Sequence, residues 1–579
     1  MADTKAPNTS AEQLITEHLD IWTTAIEQKS SSGRGSSKKF SLHGIKKLRE
    51  LILELAVRGK LVPQDPNDEP ASVLLERIAA EKAQLVKDKK IKKPKAIDNK
   101  FVPDYLLPDN WEFAQLDRIA VFTGGFAFKS SQYVGDGTRV IRISDFDERG
   151  LKNENIVRYE YEPKLEPFLL AKNDLLMAMT GGTVGKSLLL KEVSEPLLVN
   201  QRVAGIRLLS EVEPRYLKYV LQTNLIQSVI EEAKNSTNDN ISMGDIRGFI
   251  IPLPPTSHQQ LLIDKIDELM GLCDALEAQT ENSIAAHQTL VEVLLEALLK
   301  APEQGATPEQ TAEQFQQNWQ RLSEHFDTLF TTTASIDTLK RTIIELSVVG
   351  SFSDSTHFQT NNLESEPLSK ALYEIEESIR NKEGKLEKIK PITIVNQYKK
   401  APTNWTQCLL CDVVISLDHK RVPVKKSERT KGNIPYYGAN GPVGFIGEYL
   451  FDEELVLVVE DETFIGRVKP FSYLIKGESW VNNHVHVLKC TSVILPSFLN
   501  FLLSYYPFIP LTSGTTGRKK LTKNTLLQIP IIFPSLEEQQ RIVAKVDELM
   551  ALCDQLKARL TDAQTTKLHL TDAIVEQAL

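Results

Sequence analysis

Four stretches of this 579-residue chain are written twice, in the same order. Glu17-His18-Leu19-Asp20 returns as Glu324-His325-Phe326-Asp327. The segment Ile45 to Gly59 returns as Ile336 to Gly350, and Pro108-Asp109-Asn110-Trp111 as Pro402-Thr403-Asn404-Trp405. Lys265-Ile266-Asp267-Glu268-Leu269-Met270 returns as Lys545-Val546-Asp547-Glu548-Leu549-Met550, and the match continues to Cys273-Asp274 and Cys553-Asp554. A repeat of this length restricts the fold to two copies of one plan. Each copy reads as short helices, then a β-rich module, then a long helix. The first copy is longer near its start, where Ser30 to Ser37 has the Ser/Gly composition of a flexible linker.

The expected division is an N-terminal helical region with linker at 1–100, a first module at 101–255, a central helical spacer at 256–395, a second module at 396–535 and a closing helix at 536–579. The long helices are readable in detail. Pro252, Pro254 and Pro255 in one copy, and Pro530 and Pro534 in the other, prevent an earlier start. Ser257 with Gln260 and Ser535 with Glu538 have the spacing of capping boxes. Leu262, Ile266, Leu269, Cys273 and Leu276 then follow a 4-3-4-3 spacing, as do Ile542, Val546, Leu549, Cys553 and Leu556. That spacing predicts a coiled-coil seam on a helix of about 40 residues, roughly 60 Å if continuous. His287 falls on the seam and reads as a packed histidine. Within the modules, Arg139 to Ile143, Asp174 to Met179 and Leu455 to Val459 are short apolar or alternating runs bounded by Gly, Asn and Pro, the pattern of strands and turns.

Composition bounds the class. Hydrophobic residues make up 41% and charged residues 25%, a soluble globular balance. No apolar run is long enough for a bilayer, and the N-terminus lacks a basic-then-apolar leader pattern, so a cytoplasmic protein is expected. Five cysteines form no secreted disulfide framework; Cys408-x-x-Cys411 has no second pair at zinc-ribbon spacing and reads as strand thiols. The net charge of −9 is unevenly spread: residues 256–395 carry 11 Lys+Arg against 23 Asp+Glu, and residues 396–535 carry 16 against 11. A nucleic-acid role must rest on local basic clusters.

Catalytic motifs are absent. There is no His-Glu-x-x-His helix and no Gly-x-Ser-x-Gly elbow. Thr180-Gly181-Gly182-Thr183-Val184-Gly185-Lys186-Ser187 ends like a phosphate-binding loop, but only three residues separate Gly181 from Gly185, where four are needed. It reads as a tight strand–strand turn carrying an exposed lysine. Basic and small polar residues cluster in loops instead. In the second module these are Lys420, Arg421, Lys425 and Lys426 before the turn at Asn440, then Thr515, Thr516, Arg518, Lys519, Lys520 and Lys523. In the first they are Lys129, Ser130, Arg139, Arg142, Lys186 and Arg202, with Asn238 and Asn240 before Arg247. The loop at 235–240 holds the same place before its helix as the loop at 513–520. Such residues suit close approach to phosphates, and Arg or Asn can also read base edges.

Several of these segments carry a resemblance. Ile250-Ile251-Pro252-Leu253-Pro254-Pro255 with Gln259-Gln260, Ile531-Ile532-Phe533-Pro534 with Glu538-Gln539-Gln540, Asp174 to Lys186, Ile434 to Gly441, and Ser513-Gly514-Thr515-Thr516 with Leu521 make the chain similar to the specificity subunits of type I restriction–modification systems, in their subgroup of larger subunits. The resemblance covers nearly the whole chain. It implies an α+β fold of two tandem target recognition domains, separated by long helices that pair as an antiparallel coiled coil with pseudo-two-fold symmetry. It implies a non-catalytic subunit that reads one DNA half-site per domain, for host defence. It also implies two methyltransferase and two restriction–translocase partners. No cofactor is expected in this chain; S-adenosylmethionine, ATP and Mg²⁺ belong to those partners. Two other readings stand beside it: a scaffold whose modules bind proteins, and a nucleotide-dependent enzyme using Gly181 to Ser187.

Overall fold

The computed structural model describes residues 11–28, 40–91, 93, 97, 103–299 except 210 and 238, 308–352, 366–381, and 405–579 except 463, 465, 466, 468 and 515–518. The chain forms two compact units, one of residues 1–283 with 563–579, the other of residues 284–562. No described helix is long and apolar enough to cross a membrane.

After two short helices at Ala11–Glu17 and Leu19–Thr24, the first unit continues with helices α1 (His43–Val57) and α2 (Ala71–Lys87). The module that follows contains strands β1 (Glu112–Gln115), β2 (Ala120–Gly124), β3 (Tyr133–Val134), β4 (Thr138–Ile141), β5 (Val157–Tyr159), β6 (Leu169–Leu170), β7 (Leu175–Ala178), β8 (Ser187–Leu189), β9 (Leu197–Val199) and β10 (Val203–Leu208). Helices α3 (Pro214–Val220), α4 (Asn224–Thr237) and α5 (Met243–Arg247) lead to strand β11 (Ile250–Leu253) and the long helix α6 (Thr256–Leu299). One sheet has the order β8-β7-β10-β2, all antiparallel. A second has the order β6-β9-β4-β5-β3, with β9 and β4 parallel. Strand β11 returns to pair with β1.

The second unit repeats this plan. Helices α7 (Pro308–Glu324), α8 (Thr333–Val348) and α9 (Glu366–Arg380) precede the module. Its strands are β12 (Thr406–Leu409), β13 (Val414–Ser416), β14 (Ile434–Gly438), β15 (Gly441–Ile446), β16 (Phe451–Asp452), β17 (Leu455–Val459), β18 (Asp461–Glu462), β19 (Ser472–Ile475), β20 (Glu478–Val481), β21 (Val485–Cys490), β22 (Lys519–Lys520) and β23 (Pro530–Phe533). Helix α10 (Pro496–Ser504) and the short α11 (Lys523–Leu527) come before the long α12 (Leu536–Ala578). The sheet orders are β13-β21-β17-β19 and β15-β14-β20-β16, with β12 paired to β23. The one parallel pair, β14 with β20, falls where β4 pairs β9 in the first module. The central strands β7 and β17 are buried at every residue, as their unbroken apolar runs require.

Each long helix is bolted to its module by one buried glutamine. Gln259 accepts from the Glu213 amide at 2.8 Å and donates to the Pro254 carbonyl at 3.3 Å. Gln539 accepts from the Leu495 amide at 2.8 Å and donates to the carbonyls of Val493 and Pro534 at 3.0 and 2.9 Å. The repeated ion pairs lie further along each helix. Arg49 of α1 reaches Asp274 and Glu277 of α6, and Lys340 of α8 reaches Asp554 of α12. Such half-exposed pairs contribute about 1 kcal/mol or less. The apolar seam dominates, at roughly 1.5–3 kcal/mol per fully buried side chain. Leu262, Ile266, Leu269 and Cys273 are buried, as are Ile542, Val546 and Cys553; Leu276, Leu549 and Leu556 are half-buried. In the second unit Val291 and Leu295 of α6 share one apolar cluster with Ile336 and Ile343 of α8 and Ile542 and Val546 of α12.

The predicted helix starts are right in one copy. Ser535 accepts from the Glu538 amide at 3.4 Å and caps α12. Ser257 does not cap α6, which begins one residue earlier; its hydroxyl donates to Asp68 instead. The Pro255 carbonyl already accepts the amides of His258 and Gln259, so the helix starts without that side chain. His287 is packed as expected, its ring 2.9 Å from the Leu329 carbonyl.

Candidate nucleic-acid interface

In both modules the buried central strand runs out into a loop that is stitched to the segment before the short helix. In the first module Met179 donates to the Arg202 carbonyl and accepts from Ile241, both at 2.9 Å, and Thr180 bridges Asn240. In the second Glu460 donates to the His484 carbonyl at 2.9 Å and accepts from Leu521 at 2.8 Å. There the stitch lengthens into the β18–β22 pair, with Ser513 bridging Lys520. Ser242 and Thr522 then cap α5 and α11. The expected loop at 235–240 is in part helix, since α4 runs on through Thr237; its equivalence to 513–520 lies in the backbone pairing of Asp239 and Asn240 with Gly181 and Thr180.

The segment Thr180 to Ser187 is a strand–turn–strand. β7 leads into a turn with Gly181 at φ 72° and Gly185 at φ 84°, and β8 follows. A β-carbon at Gly185 would lie 2.9 Å from Ile230, so both conformation and space call for glycine. A phosphate-binding loop needs a helix at this point, which is absent. Lys186 is half-buried rather than exposed, its ammonium 5.8 Å from the centre of the Phe146 ring. The turn ties the lysine back over an aromatic face.

The candidate contact residues sort by what already holds them. Lys129, Ser130, Arg202 and Asn240 are exposed in the first module. Arg139 is buried, donating to Asn153 and to the Lys152 carbonyl. Arg142 forks onto Asp145, and Arg247 reaches Asp117 at 2.8 Å. In the second module Lys425, Lys426, Asn440 and Lys520 are exposed, and Lys420, Lys519 and Lys523 are half-buried. Lys425 lies 3.6 Å from Glu428, and Asn440 accepts from Arg467 at 3.0 Å. Arg421 points inward to Glu460, Asp418 and the Val485 carbonyl. Asn238, Thr515, Thr516 and Arg518 lie outside the described residues.

Sequence reasoning missed Asp418, Glu460 and His486, which gather under β22, and Asn482 and His484. The last two line a cavity of about 150 Å³ with Asn440 and Asp461. The polar His486 inside the apolar run Val485-His486-Val487 is the signal that was available. Burial pushes the thiols of Cys411 and Cys490 up to about 12 and that of Cys408 higher still, so all three stay protonated and packed.

A family model for the type I restriction modification DNA specificity domain matches the chain twice, at residues 108–286 and 402–563. The chain belongs to that family. It is 32% identical to the type I restriction enzyme EcoEI specificity subunit of Escherichia coli and 33% identical to the EcoAI specificity subunit of the same organism. Each alignment spans 98% of this chain and all of the relative. Among solved structures, the HsdS subunit from Thermoanaerobacter tengcongensis aligns over 82% of this chain and 98% of its own at 16% identity, with a TM-score of 0.38. The specificity family thus accounts for both β-rich modules and for the start of each long helix.

Proposed function

We propose that this chain reads a two-part, asymmetric DNA target, one half per module, as the specificity subunit of a type I restriction–modification complex. It carries out no catalysis. Two methyltransferase subunits and two restriction–translocase subunits assemble on it, and S-adenosylmethionine, ATP and Mg²⁺ act on those partners. The long helices pair as an antiparallel coiled coil and set the gap between half-sites, as rigid spacing does in other two-module readers. The observation that carries this reading is the duplicated specificity domain, with one topology and the same loop stitch in both copies.

Exposed lysines beside these loops supply the sequence-independent attraction to phosphates. Lys129 and Arg202 in the first module, and Lys425, Lys426 and Lys520 in the second, are the side chains best placed for it. Arg139, Arg142 and Arg421 act one step back, as supports. The test is a methylome. Expressed with its cognate methyltransferase, the chain is expected to direct adenine methylation at a split motif of fixed gap. Exchanging residues 101–255 for those of a relative is expected to change one half of the motif and leave the other. Assembly with the methyltransferase but no chain-dependent motif sinks the proposal.

A further inference from the structure

The two modules differ most sharply beneath the loop stitch, where the strand registers align them residue by residue. In the first module the positions are Gly124, Met179 and Ala204, with Ala204 paired to Gly124. The second module has Asp418, Glu460 and His486 there, and all three are buried or nearly so. His486 Nδ1 lies 2.6 Å from an Asp418 carboxylate oxygen, and Nε2 lies 2.9 Å from the Leu521 carbonyl. The imidazole thus bridges the carboxylate and the carbonyl through its two ring nitrogens. Asp418 also accepts from the Val487 amide at 2.8 Å. Glu460 takes the Arg421 guanidinium on one oxygen and the Lys520 ammonium, at 3.0 Å, on the other.

Two carboxylates therefore meet Arg421, Lys520 and the His486 ring at the root of β22. Burial opposes ionisation of both acids, yet His486, Arg421 and, at Glu460, Lys520 hold them below the usual carboxylate range. The ligand atoms of Asp418, Glu460 and His486 lie within 4.8 Å of one another, a spacing a metal ion could use. Here Arg421 and Lys520 already supply the neutralising charge. The first module forms the same four-stranded sheet and the same stitch with an exposed Gly124, a half-buried Met179 and a buried Ala204 at these positions, so the fold itself does not call for these charges.

We infer that His486 and Glu460 are positioning residues. They lock the β22 segment and the Lys520 ammonium in the geometry with which the second module reads its half-site, a function the first module lacks. This inference rests on the DNA-reading proposal above. The test uses the full chain assembled with its methyltransferase subunits. Affinity is measured for the cognate duplex and for duplexes altered in one half only. The double variant Glu460→Met/His486→Ala installs the first module's residues and leaves Asp418 paired with Arg421. It is expected to lose roughly tenfold in discrimination at the second module's half-site, the scale of one base contact, with discrimination at the other half unchanged.

A folded double variant with both discriminations intact overturns the inference. If the double variant does not fold, Glu460→Gln decides alone: the same one-sided loss supports the inference, and retained discrimination overturns it. Stoichiometric zinc binding by the wild type, abolished in the double variant, also overturns it, since the cluster is then a metal site. A wild type that discriminates at neither half instead removes the DNA-reading proposal itself.

Discussion

The two modules share the order of their four-stranded sheet, the position of a parallel strand pair and the stitch that fastens the loop before the short helix, but they are built over different materials. Under the first stitch lie Gly124, Met179 and Ala204; under the second lie Asp418, Glu460 and His486. Uncharged residues in one module and a buried ion network in the other thus accompany one backbone arrangement. Removing charges from water costs several kcal/mol per ion unless partners compensate, so a network of this kind is a poor route to stability alone. What it adds is a fixed geometry for Lys520. By contrast, the glutamine that bolts each long helix to its module is the same in both copies. The repeat keeps the buried glutamine and varies the ground beneath the stitched loops.

The largest effect tests the identical part. Gln259→Leu and Gln539→Leu each remove an amide's acceptor and the donor to one or more buried carbonyls, and each is expected to cost about 3 kcal/mol in urea unfolding. Costs differing by more than about 1 kcal/mol break the equivalence of the two bolts. Next come the candidate DNA-facing lysines. Lys425→Ala/Lys426→Ala is expected to flatten the salt dependence of DNA affinity by roughly 0.9 in log–log slope for each phosphate that the variant no longer neutralises. Arg139→Ala is expected to lower stability and leave that slope unchanged, because its guanidinium is spent inside the first module. A flattened slope in Arg139→Ala returns that residue to the interface.

Acidification separates the modules. Asp418 and Glu460 have folded pKa values below the ordinary range, so their contribution is complete above the ordinary carboxylate pKa, about 4, and is lost as pH falls through the depressed folded values. The groups facing them are His486, Arg421 and Lys520, with Asp461 and His484 alongside. Amide exchange in β17 and β21 is expected to rise on acidification below that range, and to rise less in Glu460→Met/His486→Ala. Equal acid response in wild type and variant contradicts the network's charge state. The smallest effects are the repeated surface pairs: Arg49→Ala and Lys340→Ala are each expected to cost less than about 1 kcal/mol and to leave reading unchanged, by thermal melts and duplex titration.

The sequence determined the duplication, the two long helices with their apolar seams, the strands at 175–178 and 455–459, and the family, because periodicity and repetition are local properties of the chain. It also determined that Gly181 to Ser187 is a turn, from the spacing of its glycines. The tertiary structure alone decided which charges are available. Arg139, Arg142 and Arg421 look alike in sequence to Lys129 and Lys425, yet their partners come from Asn153, Asp145 and Glu460. Ser257 looks like Ser535, yet Asp68, almost 190 residues away, takes its hydroxyl. The cluster of Asp418, Glu460 and His486 joins residues up to 68 positions apart, brought together by the pairing of β17 with β21 and the return of β22. Side-chain commitments of this kind are set by which strands lie side by side, and no local pattern encodes that.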